Sequence, residues 1–118
     1  MSLQLDRKTL DSGIEVIQLS GSLTLGRESQ GLEKLVESLL NPGPARIVID
    51  MAAVPFVDSA GIGVLVGCHG KTATAGGTLR VAGAADRVRH VLRVTNVDSV
   101  LRLDASVADS LKALAEGA

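Results

Sequence analysis

The chain has 118 residues and a formal net charge of −1, and 46% of its residues are hydrophobic although it holds one Phe and no Trp or Tyr. This length predicts one domain over residues 1–118, with a core of aliphatic side chains. The near-neutral charge and the lack of aromatic stacking platforms argue against nucleic-acid binding, and the one Cys excludes an internal disulfide and a cysteine-rich zinc site.

The first half of the chain predicts a hairpin, a helix and a buried strand. Residues 3–10 and 14–19 alternate loosely in polarity on either side of a Gly-containing turn, which predicts a β-hairpin. An amphipathic helix follows and is expected to end at residues 41–44, which include two Pro and one Gly. The unbroken β-branched run within 45–51 is typical of a strand that is covered on both faces.

The second half of the chain continues this alternation. A helix is expected over 59–73, followed by a strand over 78–82, a short helix over 86–94 and a strand over 100–103. A capping box at 106–109 starts a last helix. Together these elements predict an α/β fold: a mixed, mostly parallel β-sheet with an N-terminal hairpin and about four α-helices packed on it.

An acid and a hydroxyl stand side by side where the second helix begins. Asp58 and Ser59 are both preferred N-cap residues, because their oxygens accept the unpaired N–H groups of the first turn. The same end of a helix carries partial positive charge, so it tolerates a phosphate. By its position, Ser59 is therefore either a cap, which is the more common case, or a hydroxyl that becomes phosphorylated.

The sequence around Ser59 adds a family resemblance. The run D-S-A-G-I-G at 58–63 resembles the D-S-(S/A/T)-G-(L/I)-G signature of anti-sigma factor antagonists, which are small bacterial proteins of the STAS domain family. The resemblance extends to a strand ending in Asp50, to the Gly-Gly strand at 76–81 and to T-N-V at 95–97, where the family usually shows T-G-L. It covers roughly residues 14–114 and implies a single STAS domain.

The resemblance also implies a partner switch. The unmodified chain would bind an anti-sigma factor that is a serine/threonine kinase, which frees a sigma factor. The kinase would then phosphorylate Ser59 with ATP and magnesium, and the phosphorylated chain would dissociate from it. A metal-dependent phosphatase would restore binding. The chain itself would be a monomer or weak homodimer without enzymatic activity, cofactor or metal. The implied partner-binding residues are Leu23, Thr24, Asp58, Ser59, Ala60, Gly61, Ile62 and Gly63.

Two departures from the family pattern leave alternatives open. Residues 21–24 read G-S-L-T where the family often has an acidic G-E-(L/I)-D, and Asn96 replaces the usual Gly. One alternative keeps the fold without a phosphorylation switch, as a scaffold or accessory subunit of a stress-signalling complex or a lipid-transport machine. Another is a small enzyme or binder of phosphate ligands at the start of the second helix, although no general base lies beside Ser59 in the sequence.

The second helix carries a stripe of small residues, namely Ala60, Gly63, Gly67 and Gly70. Each Gly weakens a helix by roughly 1 kcal/mol relative to Ala, so the stripe needs a reason. It either packs closely within the domain or leaves a flat surface for a partner. We expect Gly63 to serve an interface and Gly67 to serve the core.

Other candidate chemistries have weaker support. The tripeptide at 70–72 resembles the end of a phosphate-binding P-loop, but Leu65 stands where that motif needs Gly. Cys68 is expected to be a small core residue, and His69 and His90 lack ligand partners at metal-site spacing. The exposed surface of the C-terminal half is expected to be basic, either solvated or facing an acidic partner, through Arg80, Arg87, Arg89, Arg93 and Arg102.

The location of the protein is predicted from two absences in the sequence. The N-terminus lacks the apolar stretch of a signal peptide, and the longest apolar run, 60–68, is too short to span a bilayer. We therefore expect a cytoplasmic protein without a membrane partner.

Overall fold

A computed structural model describes residues 3–41 and 43–117. Pro42, which is part of the predicted helix stop, lies outside the described residues. Strands and helices alternate along the chain after an initial hairpin. In order they are β1 (Gln4–Thr9), β2 (Glu15–Ser20), α1 (Arg27–Leu39), β3 (Arg46–Ala53), α2 (Ser59–Thr74), β4 (Thr78–Ala82), α3 (Asp86–Val94), a 3-10 helix (Val97–Ser99), β5 (Arg102–Asp104) and α4 (Val107–Ala115).

The five strands form one sheet in the order β1-β2-β3-β4-β5. β1 and β2 pair antiparallel across the hairpin, and every later pair is parallel. β3 lies at the centre, which explains why its run Ile47-Val48-Ile49 is fully buried on both faces. The predicted α/β fold, with a mixed, mostly parallel sheet, an N-terminal hairpin and four α-helices, is confirmed.

The helices divide between the two faces of the sheet. Alternate residues of a strand point to opposite faces, so Ile47 and Ile49 belong to the main core, while Val48 belongs to a second, smaller cluster. The main core takes its helical side chains from α1, α2 and α3, and the smaller cluster takes Leu114 from α4. Because α2 follows β3 directly in the chain, its N-terminus lies near the carboxyl end of β3.

The predicted basic surface is smaller than the sequence indicates. Arg80 lies in a bidentate ion pair with Asp104, whose oxygens accept its Nε at 2.6 Å and its Nη2 at 3.0 Å. Ser110 donates a hydrogen bond to the same carboxylate at 2.6 Å, which ties α4 to β4 and β5. The Arg80 side chain is 12% exposed, so the expectation of an exposed Arg80 is wrong.

The last strand begins two residues later than predicted. A strand was expected over 100–103, but the N–H groups of Val100 and Leu101 both donate to the carbonyl of Val97 at 2.9 Å and close a 3-10 helix. Val100 is consequently 47% exposed, and only Arg102–Asp104 pair with β4. Asn96 precedes this turn with φ 63°, a left-handed conformation that Asn accepts more readily than most residues.

Candidate functional site

Asp58, rather than Ser59, caps helix α2. The Oδ1 atom of Asp58 accepts a hydrogen bond from the Gly61 N–H at 2.8 Å, and Ser59 is the first helical residue. The interpretation of Ser59 as the cap is therefore wrong. Ser59 is exposed, and within the part of the chain that the structure describes its hydroxyl makes no hydrogen bond. This hydroxyl has no structural bond to lose if it reacts.

The second carboxylate oxygen of Asp58 bonds to a distant loop. Oδ2 accepts a hydrogen bond from the Leu25 N–H at 3.1 Å, 33 residues earlier in the chain. The N–H groups of Gly61 and then Leu25 lower the pKa of Asp58 from its ordinary value, because they stabilise the ionised carboxylate. Both oxygens are thus engaged by backbone donors, and Asp58 is poorly placed to serve as a general base for Ser59.

The loop over residues 21–26, here called the Leu25 loop, packs against the segment before α2. Leu23 donates its N–H to the carbonyl of Phe56 at 2.9 Å and accepts from the N–H of Asp58 at 3.2 Å, and it forms a parallel bridge with Val57. The two segments follow β2 and β3, which are adjacent parallel strands. Their carboxyl ends share one edge of the sheet, so the two loops form a single surface beside Ser59.

Gly61 is required where this loop meets the helix. A Cβ atom at Gly61 would lie 2.9 Å from the carbonyl carbon of Leu23 and closer still to its oxygen. The helix can therefore approach the Leu25 loop only with a residue that lacks a side chain.

The rest of the small-residue stripe has more room. A Cβ at Gly63 or Gly70 would meet no atom of the described residues within 4 Å, and one at Gly67 would lie 3.5 Å from Oε2 of Glu33 on α1. Gly63 is thus open to the surface. Gly67 faces α1, where Lys71 of α2 forms ion pairs with Glu33 and Glu37.

The predicted partner-binding residues lie together at this edge but differ in accessibility. Ser59 and Gly63 are exposed, and Thr24, Asp58 and Ala60 are half-buried. The remaining three residues are buried: Leu23, Gly61 and Ile62. The sequence could not distinguish these two groups, since Leu23 lies in a loop where no periodicity reports burial. Gly61 and Leu23 meet where the helix approaches the loop, and Ile62 packs in the main core.

Two exposed apolar side chains at this edge were not predicted. Leu25 is 77% exposed and Phe56 is 50% exposed, although both have backbone groups bonded within the paired loops. Phe56 is the one aromatic residue of the chain and stands two positions before the capping Asp58. A lone aromatic residue beside the start of α2 could have marked Phe56 as an interface candidate, because aromatic residues are enriched in the cores of interfaces.

Other reactive groups lie away from this edge or are inert. Cys68 is buried, and this burial raises the pKa of its thiol to about 12, so it is not a nucleophile at neutral pH. Among residues 3–41 and 43–117, no group of three or more His, Cys, Asp or Glu could hold a metal ion. None of the helices described is long and apolar enough to cross a membrane.

Comparison with known proteins agrees with this architecture. A relative in Thermotoga neapolitana, named as a candidate anti-sigma factor antagonist, is 26% identical over 100 residues, covering 83% of this chain and 88% of that protein. The crystal structure of an anti-sigma factor antagonist from Mycobacterium paratuberculosis has a TM-score of 0.79 at 25% identity. That match covers 95% of this chain and 93% of the other.

A more distant structure has the same fold. SpoIIAA, an anti-sigma factor antagonist solved in its unphosphorylated form, matches with a TM-score of 0.79 at 17% identity, covering 96% of this chain and 97% of SpoIIAA. A phosphorylated form of SpoIIAA from Bacillus has also been solved. A model of the STAS domain matches residues 7–110, which is most of the chain. The chain therefore belongs to the STAS domain family.

Proposed function

We propose that this chain is an anti-sigma factor antagonist that works by partner switching and is inactivated by phosphorylation of Ser59. The observation that carries the proposal is the division of roles at the start of α2. Asp58 caps the helix, which leaves the neighbouring Ser59 hydroxyl exposed and without a hydrogen bond among the described residues. A kinase can reach such a hydroxyl without first breaking the fold.

The partner in this proposal is an anti-sigma factor that is also a serine/threonine kinase. The unmodified chain binds it in the cytoplasm of a bacterium and so releases a sigma factor. The kinase supplies ATP and magnesium, and a metal-dependent phosphatase reverses the modification. The chain contributes a substrate hydroxyl and a docking surface and is not an enzyme. That surface includes the accessible residues Thr24, Ser59, Ala60 and Gly63, and the half-buried Asp58 lies among them.

The physical effect of the phosphate differs between the free and the bound chain. A phosphate adds about −1.5 to −2 charges at neutral pH. In the free chain the N-terminus of α2 favours it by roughly 0.3–1 kcal/mol, while the adjacent Asp58 carboxylate opposes it. In the complex the phosphate has to lose water against a surface shaped for a hydroxyl, and an unpaired buried charge costs several kcal/mol. Phosphorylation should therefore reduce affinity much more than stability.

The proposal is tested by phosphate mapping. Incubation with the cognate anti-sigma factor kinase and ATP should add one phosphate to the wild-type chain and none to Ser59→Ala. Ser29 and Thr72 serve as internal controls, because they are 3% and 0% exposed and a kinase cannot reach them in the folded domain. A phosphate on Ser22 or Thr24 would refute the assignment. Stable binding without any phosphorylation would favour the scaffold or accessory-subunit alternative.

A further inference from the structure

We propose that Asp58 is a positioning residue of the docking surface, and that it acts by holding the Leu25 loop so that the Leu25 side chain is presented beside Ser59. The proposal rests on the proposed function, because it explains how the kinase-binding surface is shaped. It assigns Asp58 an indirect role, through Leu25, in place of direct contact with the partner.

The first argument is that capping α2 needs only one of the two Asp58 oxygens. Helix α4 is capped by the single Oγ of Ser106, which accepts from the Asp109 N–H at 3.1 Å. In α2 the equivalent bond is made by Oδ1 of Asp58, and Oδ2 is left to accept from Leu25. A carboxylate at this position therefore does something that a hydroxyl cap cannot.

The second argument is that, among the described residues, no other hydrogen bond joins the tip of the Leu25 loop to the α2 side of the edge. Leu23 is held by backbone bonds to Phe56 and Asp58, and Gly26 accepts from residues of its own helix α1. Between these two points, within the described residues, the Leu25 N–H bond to Asp58 is the one hydrogen bond that crosses to the α2 side. Loss of Oδ2 should free the loop tip and leave the base of the loop in place.

The third argument concerns what the loop presents. Leu25 is the most exposed large apolar side chain of the described residues, at 77%, yet its own N–H is held by a charged acceptor. A loop whose backbone is already held before binding loses less conformational entropy in the complex than a free loop does. Phe56, which is also exposed, lies on the neighbouring loop, where its carbonyl accepts from the Leu23 N–H. The partner should therefore offer an apolar pocket next to its phosphotransfer site.

Asp58→Ser separates positioning from capping. Serine keeps one oxygen for the Gly61 N–H and caps as well as Asp does, so the melting temperature should stay close to wild type. Hydrogen exchange at the Leu25 amide should accelerate at least about tenfold, since exchange reports local opening. Unchanged exchange at Leu25 would overturn the proposal, and this measurement requires no partner. A failure of the proposed function would appear elsewhere, as a wild-type chain that neither binds a kinase nor is phosphorylated.

A double-mutant cycle then tests whether Asp58 acts through Leu25. The probe is the anti-sigma factor kinase of the source genome that binds the unmodified wild-type chain most tightly in calorimetric titration. Asp58→Ser and Leu25→Ala should each weaken binding about tenfold, and the double variant should be no weaker than Leu25→Ala alone. If the double variant bound about a hundredfold more weakly than wild type, the product of the two single losses, Asp58 would act on the partner independently of Leu25 and the proposal would be overturned. Ser106→Ala, which removes a remote helix cap, is the control and should bind like wild type.

Discussion

Gly61→Ala should destabilise the domain, whereas Gly63→Ala should stabilise it. A Cβ on Gly61 would lie 2.9 Å from the backbone carbonyl carbon of Leu23, while one on Gly63 would meet no atom within 4 Å in the described part of the chain. Overpacking against backbone costs about 3 kcal/mol, and replacing a helical Gly by Ala returns about 1 kcal/mol. The expected changes in unfolding free energy are therefore a loss of about 2 kcal/mol at Gly61 and a gain of about 1 kcal/mol at Gly63.

Thermal and urea denaturation of the two variants measure this difference directly. For a domain of this size, 1 kcal/mol shifts the melting temperature by about 4 °C, so the two variants should differ by about 12 °C. Their urea m-values should be equal, because the same surface is exposed on unfolding. If Gly61→Ala proved as stable as Gly63→Ala, α2 would not be packed against the Leu25 loop, and the described packing beside Ser59 would be refuted.

Three further predictions concern the docking surface and the ion pair between Arg80 and Asp104. Ser59→Asp should melt within about 2 °C of wild type, as exposed substitutions usually do, yet lose most kinase affinity in calorimetric titration. Gly63→Val should also stay folded while binding weakens at least about tenfold; unchanged affinity would remove Gly63 from the docking surface. Asp104→Asn should lose about 2 kcal/mol of stability at neutral pH, because it weakens the bonds from Arg80 and Ser110. The Arg80 guanidinium lowers the pKa of Asp104 from its ordinary value of 3.8. The extra stability of the wild-type domain over Asp104→Asn is therefore fully present above pH 3.8 and is lost as the pH falls through the lower pKa of the folded state. Denaturant titrations at neutral pH and in acid should show the two proteins converge in acid, and a difference independent of pH would contradict this.

The elements of the fold were predictable because local patterns encode them. The β-branched run before Asp50 reports a strand buried on both faces, and the helical spacing of Leu32 and Val36 reports the inward face of α1. The start of α2 was also predictable, since acid and hydroxyl residues mark helix N-termini. Each of these patterns involves residues that are close together in the sequence, so each can be recognised without knowledge of the fold.

The parts that were missed depend on contacts between distant segments. Asp58 rather than Ser59 is held at the start of α2 in part by the Leu25 N–H, which donates to the second oxygen of Asp58 from 33 residues away. The burial of Leu23 and the exposure of Phe56 depend on the same pairing of loops. No periodicity reports such contacts, because loops follow neither the helical nor the strand repeat.

Asp58 and Ser59 illustrate how a fold can separate structure from signalling at adjacent positions. Asp58 has no free oxygen, so any change there disturbs the cap or the Leu25 loop. Ser59 makes no hydrogen bond within the described residues, so a phosphate there would alter charge without removing a bond that stabilises the domain. A phosphate on Ser59 would also compete with the Asp58 carboxylate for N–H groups of the first turn of α2, and the carboxylate is held in place by two backbone donors. The added charge is therefore expected to remain on the surface, where it opposes a partner rather than the fold.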